Sequence, residues 1–152
     1  MTKKYPQAPP FANNQEIETF LAKPWLARLC SHNKDETIHI APVYYLYENG
    51  EFLLGTQVAS RKAKNIQRDS RVSVLIDAYE PELQAVLVYG EAALDYDDVV
   101  SKRIRILERY YDSRTQAEAF VRKLTNAWKT VIIHVRPARM VTFDYSKPFS
   151  ID

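Results

Sequence analysis

Gly55-Thr56-Gln57-Val58-Ala59-Ser60-Arg61-Lys62-Ala63-Lys64-Asn65-Ile66 carries the strongest signal in this 152-residue chain. It leaves an expected strand, Glu51 to Thr56, and opens an expected short helix within residues 58–68. A helix start presents unpaired amide hydrogens and partial positive charge. Such an end binds anions readily, phosphate above all. Thr56 and Ser60 add hydroxyl groups. Arg61 suits a phosphate through two parallel hydrogen bonds, and Lys62 adds a point charge. Ala63 and Ile66 supply a face to pack on the rest of the chain. A plain solvated basic helix fits the same residues, and pattern alone leaves both readings open.

Working outward, strand signals dominate. Trp25 to Ser31 reads as a strand, and Glu36 to Tyr47 as one long strand. The latter carries Ile38, Ile40, Tyr44 and Leu46 on one face, and Val43, Tyr45 and Tyr47 on the other. Apolar residues on both faces predict cover on both sides. Pro42 lacks an amide hydrogen, which opens the ladder locally. Asn49-Gly50 is a turn before Glu51 to Thr56. Arg71 to Ala78 is a strand with Val72, Val74 and Ile76 inward, and Gln84 to Leu94 another. Gly90 inside it marks a bulge or a close backbone approach. Trp128 to Arg136 and Arg139 to Tyr145 read as two strands broken at Pro137.

Helices are fewer. Asn13 with Glu16 caps a short one, whose stripe is Ile17, Phe20 and Leu21 and which Pro24 ends. Asp95, Asp97 and Asp98 load the start of another, with Val100, Ile104, Leu107 and Tyr111 at helical spacing. Ser113 with Gln116 caps a third, with Ala117, Phe120, Val121 and Leu124 as its stripe. Residues 1–12, with Pro6, Pro9 and Pro10, read as an extended arm. Regular alternation of strand and helix is missing, so the pattern predicts an antiparallel barrel with helical insertions in one domain, 1–152.

Composition narrows the function. Hydrophobic residues make up 46% and charged residues 26%, an ordinary globular balance. A net charge of +2 is too small to make nucleic acid or an anionic membrane the main partner. Cys30 is the single cysteine, which excludes an internal disulfide and a cysteine-rich metal site. Its place on an apolar strand reads as a small buried hydrophobe. His32, His39 and His134 show no paired spacing, so no metal site is expected. No apolar run resembles a leader or a membrane span, so the expectation is a cytoplasmic protein. Ten tyrosines serve either the core or a surface for a planar ligand.

From Tyr44 to Leu94 the chain resembles the pyridoxamine 5′-phosphate oxidase-like, FMN-binding split-barrel family. The resemblance lies in Asn49-Gly50, in Thr56 followed by Ser60-Arg61-Lys62, in Asn65-Ile66, in Asp69 to Val74, and in Val88-Tyr89-Gly90-Glu91-Ala92. It implies a mainly β fold, an antiparallel split β-barrel with short flanking helices, that forms homodimers with two flavin sites at the interface. It implies FMN as cofactor, held through its phosphate by Arg61 and Lys62, by the hydroxyls of Thr56 and Ser60, and beside Gly55. Ala41, Pro42, Val43 and Tyr44 match the strand that lies along the flavin ring. Gln84 takes the place of a flavin-contacting glutamine, one residue off the family's spacing, which a bulge would restore.

Departures from the family pattern redirect the activity. The last residues, Pro148-Phe149-Ser150-Ile151-Asp152, lack the Arg and His pair that grips substrate in pyridoxamine phosphate oxidases proper. Arg103, Arg105 and Arg109 do not keep the spacing of the family's Tyr and Arg substrate motif. The expectation is therefore an FMN-dependent oxidoreductase acting on an unidentified small molecule, with no catalytic residue named. The alternatives are a deazaflavin-dependent reductase, or a protein that only binds flavin or haem. His39 or His134 would be the axial ligand in the haem case.

Overall fold

The computed structural model describes residues 8–149. Four helices and seven strands follow in the order α1 (Asn14–Leu21), β1 (Ala27–His32), β2 (Ile38–Val43), β3 (Tyr45–Glu48), β4 (Glu51–Gln57), α2 (Arg61–Arg68), β5 (Arg71–Ala78), β6 (Gln84–Asp95), α3 (Val99–Leu107), α4 (Arg114–Ala127) and β7 (Thr130–Asp144). Every paired neighbour is antiparallel, in the order β2-β1-β5-β6-β7-β4-β3. The sheet curls into a half-barrel around one apolar interior. Phe52, Leu54, Val74, Ile76, Val86 and Ile133 meet there. Val72, Val74 and Ile76 point inward along β5, as the period of two predicts.

The expected long strand from Glu36 to Tyr47 is two strands. β2 and β3 are adjacent in sequence yet lie at opposite edges of the sheet. The chain changes edge at Tyr44, between Val43 and Tyr45, both of which are buried. No turn residue marks that corner; two inward side chains anchor it instead. Cover on both faces is also absent in this chain. Ile38 and Ile40 are 52% and 61% exposed on the outer face of β2. Pro42 sits on that edge strand opposite Arg28, where a missing amide hydrogen is tolerated.

The two strands expected around Pro137 are instead one, β7. It pairs with β6 from Ile132 to Asp144 and absorbs a register shift at Tyr89/Gly90. The extra residue is Ala138, on β7. A Cβ on Gly90 would lie 2.2 Å from the Arg136 carbonyl oxygen, so only glycine lets the two backbones close there. β6 itself pairs one to one with β5 from Gln84 to Glu91, so no bulge shifts Gln84.

Caps follow the sequence reading. Asn13 Oδ1 accepts from the Glu16 amide at 3.0 Å, and Glu16 Oε2 accepts from the Ala12 amide at 2.8 Å. Ser113 Oγ accepts from the Gln116 amide at 3.2 Å. Asp98 precedes α3 in the left-handed region without a side-chain cap, and Asp95 pairs with Lys102 instead. Within the described part of the arm, the Phe11 amide donates to Thr142 Oγ1 and Pro9 accepts from the Asp144 amide.

Tyr45 and Arg109 tie α1 to the barrel. The Tyr45 hydroxyl donates to the Leu21 and Lys23 carbonyls at the C-terminal end of α1. The Arg109 guanidinium donates to the carbonyls of Tyr45, Leu21, Ala22 and Lys23 and stacks over the Tyr45 ring. Burial pushes the Tyr45 phenol up to about 12. The unfolded chain therefore loses this proton first, near 10, while the folded chain keeps it. Stability supplied by Tyr45 is complete below pH 10 and is lost as pH rises from about 10 to 12. Denaturant titrations across that range are expected to show a fall of roughly 2–3 kcal/mol that Tyr45→Phe lacks.

Candidate functional site: an anion cradle at the start of α2

β4 alternates strictly. Phe52 and Leu54 point into the barrel, whereas Leu53 points outward onto Ile106 of α3. Thr56 follows the inward set and is buried; Gly55 follows the outward set, beneath α3. The chain then turns through residues 58–60 into α2. Ser60 is the N-cap, with its Oγ accepting from the Ala63 amide at 3.2 Å. Ser60 Oγ also lies 3.0 Å from Thr56 Oγ1, which donates to it. Accepting two hydrogens leaves the Ser60 hydroxyl hydrogen free to donate. The amides of Arg61 and Lys62 take no acceptor among the described residues. Ala63 and Ile66 are buried against the barrel, as expected. Asn65 locks α2 to β1 through Ser31 and Asn33, at 3.1 and 2.9 Å.

The two basic residues leave this first turn in different directions. Arg61 is exposed and lines a groove of about 490 Å³ with Asn33, Lys34, Asp35 and His39. Lys62 is half-buried; burial lowers its pKa, and the nearby Arg103 charge lowers it further. Arg103 reaches down from α3 onto β4. A Cβ on Gly55 would lie 2.9 Å from Arg103 Nε, so the bare glycine makes room for the guanidinium. Gly55, Tyr44 and Arg103, with Ile106 and Leu107, enclose a small cavity of about 30 Å³. The sequence alone assigns Arg103 no role at this site. Its one visible signal is a glycine directly before Thr56, which means something only once α3 is known to cover it.

The remaining expected residues fall in two places. Ala41, Pro42 and Val43 end β2, and Tyr44 occupies the corner, exposed and 4.3 Å from the Tyr110 ring. Tyr44 thus meets Gly55, while Ala41 and Pro42 run along the outer edge. Gln84 is elsewhere. It pairs with Ala78 and Asp144, whereas Thr56 pairs with Val131 near the Asp95 end of β6. Eleven residues of strand separate these ends, roughly 36 Å at ~3.3 Å per residue. Gln84 Nε2 donates to Asp144 Oδ2 at 3.1 Å and lines a cavity of about 280 Å³ beside Phe11 and Glu16. Within one chain, Gln84 does not join the cradle.

The histidines differ as well. His134 lies between two carboxylates, with Nδ1 3.0 Å from Glu51 Oε2 and Nε2 3.4 Å from Asp95 Oδ2. His39 is half-buried in the groove that Arg61 lines. Cys30 is half-buried on the outer face of β1, with its thiol pushed up by burial, which suits an inert thiol. It borders an apolar hollow of about 490 Å³ with Ile38, Ser73 and Tyr89. Among the described residues no helix is long and apolar enough to cross a membrane.

Comparison with known proteins adds the lineage. The family model described as pyridoxamine 5′-phosphate oxidase matches residues 14–142. No curated protein matches the sequence. A conserved hypothetical protein of Mycobacterium tuberculosis superposes with a TM-score of 0.80 at 24% identity, over 99% of this chain and 97% of that one. A structure named F420 reductase gives 0.65 at 17% identity, over 81% of this chain and 94% of that one. The heme storage protein of Vibrio cholerae gives 0.68 at 14% identity, over 88% and 97%. At these identities the structural likeness establishes the fold.

Proposed function

The chain belongs to the pyridoxamine 5′-phosphate oxidase family, and from that premise we propose that it is a homodimeric flavoprotein that binds FMN and exchanges electrons with a small organic molecule. One observation carries this reading: the first turn of α2 presents free amides and a free hydroxyl donor, with a basic side chain on either side. The donor set fits a phosphate monoester, which accepts several hydrogen bonds and carries about two negative charges. Thr56 orients Ser60, Ser60 donates, Lys62 approaches from the side of Gly55, and Arg61 from the side of His39.

Bound there, a flavin supplies the redox chemistry, so the chain need not provide an obligatory acid or base. What the chain provides is position and a wall. Backbone groups of Ala41 to Tyr44 would border the ring. The enclosed space beside Tyr44 and Gly55 is about 30 Å³, far below the several hundred Å³ that ligand sites of this kind occupy. A second copy laid on the outer face would complete the enclosure and cover Ile38 and Ile40, which are apolar and exposed. Gln84, far from the cradle of its own chain, would then contribute from the partner.

A deazaflavin reductase is the second reading, supported by the likeness to the F420 reductase structure. It places the same phosphate demand on Lys62 and Arg61. A haem binder, as the Vibrio relative's name describes that protein, would turn to His39, because a carboxylate faces each ring nitrogen of His134. Titration of the protein with FMN, followed by size-exclusion chromatography, tests the proposal. One FMN per chain in a particle of twice the chain mass supports it. A monomer that leaves FMN fully fluorescent and free would overturn it.

A further inference from the structure

Helix α3 and the segment after it carry four basic residues in the barrel's vicinity, and three of them are satisfied. Lys102 pairs with Asp95 at 2.7 Å, Arg105 with Glu48 at 2.6 Å, and Arg109 donates to four carbonyls. Arg103 is the exception. Its Nε is buried without a hydrogen-bond partner, and its guanidinium reaches only the Thr56 carbonyl, at 3.4 Å. It makes no ion pair with the described residues. Its neighbour Lys62 is basic as well and lies close enough to feel the Arg103 charge.

Two half-buried cations side by side, one with an unmet N–H donor and neither with a carboxylate, are an unfavourable arrangement for a chain alone. An anion bound beside them would offset the uncompensated charge. The space for the guanidinium exists because residue 55 has no side chain. Burial lowers the pKa of Arg103 in the same sense as that of Lys62. We propose that Arg103 is a binding residue for the cofactor phosphate, closing over Gly55 to form, with Lys62 and Ser60, a pocket that selects phosphorylated from unphosphorylated flavins. This rests on the flavin reading above and adds to it the group that provides discrimination.

The test compares FMN with riboflavin, which lacks the phosphate, on wild-type protein, Arg103→Met and Arg103→Lys, by quenching of flavin fluorescence. Arg103→Met is expected to weaken FMN about 10- to 100-fold, the worth of one charge-assisted contact, and to leave riboflavin unchanged. Arg103→Lys keeps the charge but not the fork, and should fall between the two. Equal losses for both ligands, or no loss for FMN, overturn the role of Arg103. Wild-type protein that binds neither ligand, or both alike, defeats the phosphate reading itself, a separate outcome. Should Arg103→Met fail to fold, the Arg103 Nε–H signal of ¹⁵N-labelled wild-type protein serves. Arg103→Lys removes that signal and so identifies it. A shift with FMN and none with riboflavin supports the proposal; identical spectra overturn it.

Discussion

The double variant Arg61→Ala with Lys62→Ala is expected to lose FMN affinity by about 100- to 10,000-fold, because each charge-assisted phosphate contact is worth roughly 1.5–3 kcal/mol. The two residues should not contribute equally. Lys62 is half-buried beside Arg103, where a weakly screened charge acts strongly. Arg61 is exposed on the other side of the turn, where water and salt screen it. Lys62→Ala alone therefore costs more than Arg61→Ala alone, and the Arg61 share shrinks as salt is raised. Isothermal titration at two ionic strengths reads both effects. Riboflavin binding serves as the control and should be unaffected. A double variant with full FMN content would remove the cradle from the account.

Gly90→Ala is the largest expected effect on stability. The added Cβ would meet the Arg136 carbonyl oxygen at 2.2 Å, its carbon at 3.0 Å and Pro137 Cα at 3.1 Å. All three are backbone atoms, so no side chain can swing aside. The cost falls at the upper end of overpacking, about 3 kcal/mol, and β6 and β7 must separate locally to meet it. Gly50→Ala is the contrast. Its Cβ would meet nothing within 4 Å, and its cost is only that of a side chain at φ +75°, about 1 kcal/mol. Urea denaturation of the two variants measures the difference. Equal, small losses would mean that β6 and β7 do not close at Gly90 as described.

Much of the fold is legible in the sequence where local chemistry and tertiary context agree. β5 shows a clean period of two. Asn13 and Ser113 cap the helices that their spacing announces. Gly90 marks a close approach because a missing side chain has a mechanical reason there. Legibility fails where the cause is distant. Val43-Tyr44-Tyr45 moves from one sheet edge to the other without a glycine or proline at the corner, since the buried Val43 and Tyr45 anchor it. Pro137 looks like a strand end but is accommodated within β7 by the bulge at Ala138.

The candidate site divides along the same line. Thr56, Ser60, Arg61 and Lys62 lie within one seven-residue stretch, and local rules suffice to bring them near one another. Arg103 lies 47 residues from Thr56, whose carbonyl it faces, and its meaning comes from Gly55, Lys62 and a buried nitrogen together. Gln84 shows the converse. Its place near a flavin comes from resemblance alone, and the unbroken β5–β6 register holds it at the far end of the barrel from the cradle of its own chain.

The most direct measurement is the visible absorption spectrum of freshly purified protein, with the released chromophore identified by mass. The paired bands of an oxidised flavin and the mass of FMN are the expected result. A colourless protein that also fails to take up added FMN would contradict it.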